Sequence, residues 1–144
     1  MRRVLLGIAA LSLPFVAVIA TAGTAGASAP VSCTNVSGPV SGTLTLKGCG
    51  GGLGKGTAPG SLFASGAGTI TWKGHHKGST TLGNGTFAPQ GQGGCTKGST
   101  EQDVTLTVTA NTSEADIRGT TVSGRVCVDA AGNQSLVKHT TLIL

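Results

Sequence analysis

The stretch QDVTLTVTA, residues 102–110, decides the fold. Val104, Leu106, Val108 and Ala110 alternate with Thr105, Thr107 and Thr109. A strand sends successive side chains to opposite faces, so this pattern gives a half-buried strand with an aliphatic side and a threonine side. Valine and threonine are β-branched and suit a pleated backbone. The same alternation recurs outward from this point. Leu44 and Leu46 alternate with Thr43 and Thr45 in residues 42–47, and Ile70 and Trp72 share one face of residues 69–73. Residues 120–128 put Val122, Val126 and Val128 on one side and Arg125 and Cys127 on the other, with Gly124 a candidate bulge. Residues 136–144 read as a last strand.

Segments rich in turn formers separate these runs: 48–60, 74–78, 83–94 and 111–119. No segment has helical periodicity, and residues 113–118 offer a single turn at most. The expected fold is all-β, an antiparallel β-sandwich of about six to eight short strands. The glycine-rich segment 48–60 is expected to be a surface loop.

The N-terminal end has a different character. Arg2 and Arg3 precede an apolar run over residues 4–20, broken by Gly7, Ser12 and Pro14, and small residues fill 21–29. This is the three-part pattern of a secretory signal peptide, residues 1–29, with cleavage after Ala27 or Ala29. Cleavage after Ala27 is favoured, because Pro30 would follow the other cut. The run falls short of the roughly 20 apolar residues a spanning helix needs, so no membrane span is expected after cleavage. The arginine pair does not sit in a twin-arginine consensus, and Pro30-Val31-Ser32 is a poor lipobox for Cys33. Residues 30–144 are therefore expected to be a single secreted, extracellular β-domain, monomeric, with an unknown partner outside the cell or at its envelope.

All four cysteines, Cys33, Cys49, Cys95 and Cys127, follow the leader. An even count in an exported chain reads as disulfides. Three connectivities exist, and Cys33–Cys49 with Cys95–Cys127 is favoured because each joins neighbouring segments. Cys127 then staples something across the less buried face of its strand. Metal binding finds no support, since there is no C-x-x-C and no histidine close to a cysteine. Each bridge contributes on the order of 2–4 kcal/mol. That matters for a chain whose only aromatic residues after the leader are Phe63, Trp72 and Phe87.

Chemical motifs are absent. Gly54-Lys55 resembles the end of a phosphate loop, but Gly56 stands where Ser or Thr is required and Cys49 where glycine is. There is no G-x-S-x-G. The five carboxylates (Glu101, Asp103, Glu114, Asp116 and Asp129) sit mostly at strand ends and turns, and Trp72 is expected in the core rather than as a sugar platform. His75 and His76, between Lys73-Gly74 and Lys77-Gly78, are candidate loop contacts near a hairpin tip, and His139 reads as a strand residue. No catalytic residue, cofactor or metal is expected. The domain carries eight Lys and Arg against five Asp and Glu, dispersed along the chain. A nucleic-acid binder usually clusters its charge and supplies aromatic platforms, so no nucleic acid is expected. All four asparagines (Asn35, Asn84, Asn111 and Asn133) begin N-x-S/T sequons, which turn composition explains without glycosylation.

One wider resemblance remains. The leader, the early cysteine, Leu46-Lys-Gly-Cys-Gly-Gly51, Gly68-Thr-Ile-Thr-Trp72, the Gly-Gly-Cys95 turn, the Thr/Val strand and Val126-Cys-Val128 together resemble uncharacterised small secreted β-proteins of actinobacteria. The resemblance implies a secreted β-sandwich-like domain and transfers no activity. The expected function is non-catalytic binding or a structural role. The alternatives are a small secreted hydrolase, with a histidine meeting a serine and a carboxylate, and an inhibitor or effector acting through an exposed loop such as 48–60.

Overall fold

A computed structural model describes residues 30–144; the leader and its cleavage points lie outside the described residues. Nine strands follow one another: β1 (Ser32–Pro39), β2 (Thr43–Cys49), β3 (Gly54–Pro59), β4 (Gly68–Trp72), β5 (Gly78–Pro89), β6 (Thr100–Asn111), β7 (Thr121–Val128), β8 (Asn133–Leu136) and β9 (Leu142–Ile143). One helical turn, α1 (Leu62–Ser65), lies between β3 and β4.

Each strand from β1 to β8 pairs antiparallel with the next, and β8 pairs back onto β1. The sheet is closed, so the expected sandwich is corrected to an eight-stranded antiparallel barrel. Alternation along a strand says which side chains face inward. It does not say whether the first and last strands meet, and here their pairing removes both sheet edges. The final stave is interrupted. β8 pairs with Ser37–Pro39 and β9 with Ser32–Cys33, on the same side of β1, and residues 137–141 bulge out between them.

The interior is filled by side chains, as expected at this strand number. Leu44, Leu46, Ile70, Val104, Leu106, Val122 and Val126 lie in its walls. Leu62 and Phe63 of α1 close one end, while Leu53, Ala115, Ile117 and Leu144 close the other. Trp72 is buried, as its alternation with Ile70 required.

Segment 48–60 departs from the expectation of a loop, because its second half is β3. Its inward positions are Gly56 and Ala58, both buried. A Cβ on Gly56 would stand 2.6 Å from the Trp72 ring and 2.8 Å from Ile70 Cγ2. The strand is thus too small on its inner face to show an apolar period, and it is small because the tryptophan lies against it.

Residue 110 also departs. Leu82 lies opposite Val108, but Thr81 lies opposite Ala110, so Thr109 is an extra residue in β6. Such a bulge shifts the alternation by one. Ala110 is exposed, and Asn111 turns inward opposite the buried Thr80. There Trp72 Nε1 donates to Thr80 Oγ1 (2.7 Å), Thr80 Oγ1 to Asn111 Oδ1 (2.9 Å), and Asn111 Nδ2 to the Ala115 carbonyl (2.6 Å). This chain of bonds fixes the loop that closes the barrel end.

The disulfides are Cys33–Cys49 and Cys95–Cys127. The first links directly opposed residues of β1 and β2. The second lies on the outer face of β7, with Val137, and ties down the β5–β6 loop as the position of Cys127 suggested.

Candidate functional site

The outer wall over β1–β5 is the most regular surface of the molecule. Inward residues such as Leu46, Ala58, Ile70 and Thr80 leave their neighbours facing out. Ser37, Thr45, Thr57, Thr71 and Ser79 stand opposite one another strand by strand and form one continuous hydroxyl row across five strands. One step along, Thr69 and Thr81 share a hydroxyl contact of 3.2 Å. Thr43, Thr57, Ala58, Pro59, Thr69 and Thr71 border a shallow depression of about 340 Å³ here.

On the other side of the hydroxyl row runs a row of lysines. Lys47 and Lys55 are directly opposed on β2 and β3. The Gly56–Trp72 pair continues to Lys73, whose amide donates to the Lys55 carbonyl at 2.8 Å. The Trp72–Gly78 pair continues to Lys77. All four are exposed, and none takes part in an ion pair among the described residues. These positions look dispersed in the sequence. The meander brings them together because each lies at the same end of its strand, so half of the domain's eight lysines and arginines fall in one row.

His75 and His76 lie side by side, and His139 lies apart from them. His75 is exposed at the tip of the β4–β5 hairpin, its ring centroid 5.3 Å from that of His76. His76 is partly buried. Glu114 Oε2 lies 2.7 Å from its Nδ1, outside the direction in which a ring N–H points. His139 is exposed on the excursion between β8 and β9, in a left-handed conformation (φ 65°), and does not lie in a strand as expected. Ser113, next to Glu114, donates its hydroxyl to Asn111 Oδ1 instead. Among the described residues no three His, Cys, Asp or Glu side chains are grouped as metal ligands would be.

Two further concavities sit at the barrel ends. One of about 250 Å³ is bordered by Phe63, Phe87, Gln102, Val128 and Gln134, with Gln134 Nε2 donating to the Gly60 carbonyl. The other, about 490 Å³, is an apolar groove beside Val31, Ile117 and Leu144. Among the described residues no helix is long and apolar enough to cross a membrane.

Of the sequon asparagines, Asn84 takes up a left-handed conformation (φ 54°), Asn111 is bonded into the barrel end, and Asn133 donates to Asp129 in the β7–β8 turn. Each of these three has a local structural use. A search with the chain finds no matching protein family, curated protein or solved structure.

Proposed function

We propose that this protein is a secreted, non-catalytic binding module that works outside the cell or at its envelope through the outer wall of the barrel. The observation that carries the reading is the unbroken hydroxyl row over β1–β5. Hydroxyls in a rigid sheet are held at a fixed spacing of about 4.8 Å from strand to strand, and each both donates and accepts. Such a surface suits a partner with many hydroxyls and little apolar area. The packed interior supports the same reading, because recognition is left to the outside. The two disulfides are consistent with an oxidising compartment, and the leader pattern with export.

The test is co-sedimentation of the protein with isolated envelopes of the producing cell, together with a mass measured from the culture medium. The expected result is retention on the envelopes and a mass corresponding to a start at Ser28 or Pro30 with both disulfides closed. Full-length, uncleaved chain in the cytoplasm, or no retention either on envelopes or on the polymers of the culture medium, overturns the reading.

A further inference from the structure

Directly opposed like charges on neighbouring strands destabilise a sheet. Lys47 and Lys55 are directly opposed, and Lys73 and Lys77 extend the row just past the ends of β4 and β5; with no carboxylate paired to any of them, this row costs the isolated fold stability. Among the described residues no carboxylate lies within ion-pair distance of the row: Glu114 lies against His76, Glu101 and Asp103 against Arg125, and Asp129 is bonded to Asn133. At about 4.8 Å per strand the row spans about 14 Å. That is long enough to meet several anionic groups of one polymer.

We infer that the row Lys47, Lys55, Lys73 and Lys77 binds an anionic glycan, a polysaccharide bearing carboxylate, sulfate or phosphate groups. This deepens the binding-module reading and rests on it. The lysines meet the anionic groups, and the adjoining Thr45, Thr57, Thr71 and Ser79 hydroxyls meet the sugar hydroxyls. The neighbouring chemistry selects the glycan over other polyanions. Single-stranded nucleic acid uses aromatic platforms for its bases, whereas Trp72 and Phe63 are buried inside the barrel and the partly buried Phe87 lies beside Phe63 at the barrel end away from the row. A membrane surface is met by apolar side chains beside the cations, whereas the row here adjoins hydroxyls.

The experiment measures binding of the protein, expressed from its full-length gene, to polygalacturonate and dextran sulfate over a series of salt concentrations. Neutral dextran, single-stranded DNA and phosphatidylglycerol vesicles are measured alongside. The expected result is binding to both anionic glycans, tighter than to DNA or vesicles, with neutral dextran far weaker. The variant Lys47→Gln/Lys55→Gln/Lys73→Gln/Lys77→Gln should lose about tenfold or more in affinity, with a shallower dependence on log salt. Its thermal midpoint should stay level or rise, because the like-charge row is gone. The comparison variant Lys97→Gln/Arg118→Gln/Lys138→Gln removes cations elsewhere and should bind nearly as the parent does. Equal losses in the two variants overturn the inference in favour of bulk charge. Tighter binding to DNA or vesicles overturns the choice of partner. Retention that the fourfold variant keeps in full removes this inference and leaves the binding module standing; no retention of the parent on envelopes or on polymers of the medium removes both.

Discussion

Glu101 is a carboxylate on the outside of the barrel wall that is nevertheless only 1% exposed, and Arg125, half exposed at the rim, reaches in to hold it. The cover is the β5–β6 loop. Gly94 N–H donates to Glu101 Oε2, Arg125 Nε donates to Oε1, and the Cys95–Cys127 bridge pins the loop across β7. The Gly94 amide, with the Arg125 guanidinium helping, holds the Glu101 carboxyl below the usual carboxylate range against the opposing effect of burial. A carboxyl depressed in the folded state stabilises the protein above its unfolded value, about 4.3, and that contribution is lost as pH falls through the folded value. Asp129, held low chiefly by the Asn133 side chain and amide in its turn, acts in the same window. Urea midpoints should therefore fall on acidification below about pH 4.3. Glu101→Gln should lie below the parent at neutral pH, show a flatter acid limb, and approach the parent at the acid end. Asp103→Asn, which touches a 3.9 Å contact with Arg125 and an exposed hydrogen bond from Gln90 Nε2, should cost less. A constant gap between Glu101→Gln and the parent across the acid range would show that the ion pair is not what stabilises the loop.

The two disulfides should rank against loop length. Cys95–Cys127 closes 32 residues and Cys33–Cys49 only 16, so chain entropy alone makes the first the more stabilising, within about 2–4 kcal/mol each. Cys33, however, is wholly buried in the main core, whereas Cys95 and Cys127 sit in a small cluster outside the barrel. Replacing Cys33 and Cys49 with alanine leaves a core cavity in addition. Denaturant titration should find Cys33→Ala/Cys49→Ala the more destabilised pair. The reverse order would mean that the sulfurs in the core contribute little packing.

Gly56 and Trp72 should be energetically coupled. Gly56→Ala forces a Cβ against the indole and should cost about 1–3 kcal/mol by overpacking. Trp72→Phe leaves Thr80 without its donor and should cost about 1–3 kcal/mol. The smaller ring also relieves the added methyl, so the double variant should lose less than the sum. Strict additivity in a double-mutant cycle would count against the close approach.

Asn111→Ala removes partners from Thr80 Oγ1 and from the Ala115 carbonyl and should cost about 1–3 kcal/mol. Amide exchange should rise most over residues 112–117, the loop that Asn111 holds, and least at Leu106. A uniform rise would place Asn111 in the general stability of the sheet.

What the sequence made legible followed period two. Val104 to Val108, Leu44 with Leu46, and Ile70 with Trp72 all lie inward as their alternation requires. The disulfide pairing also followed from proximity along the chain. Three things were hidden for physical reasons. β3 was masked because its inner positions, Gly56 and Ala58, are small to accommodate a residue on another strand. The inward turn of Asn111 depends on a bulge that no local pattern marks. Closure into a barrel depends on register between β1 and β8, far apart in sequence, and the lysine row on the register of three successive antiparallel pairings. Only the fold makes Lys47 and Lys77 part of one surface.

The interrupted last stave sets a kinetic order. Leu142 and Ile143 sit opposite Cys33 and Ser32, so β9 completes the wall that β1 begins. Contacts of such long sequence separation are slow to form, and until they do β1 is an unprotected edge open to other chains. β1 is made first and β8 and β9 follow every other strand, so that edge stays open until the last two strands have formed. The greatest risk of aggregation for this domain thus falls in the interval before β8 and the two residues of β9 dock on β1.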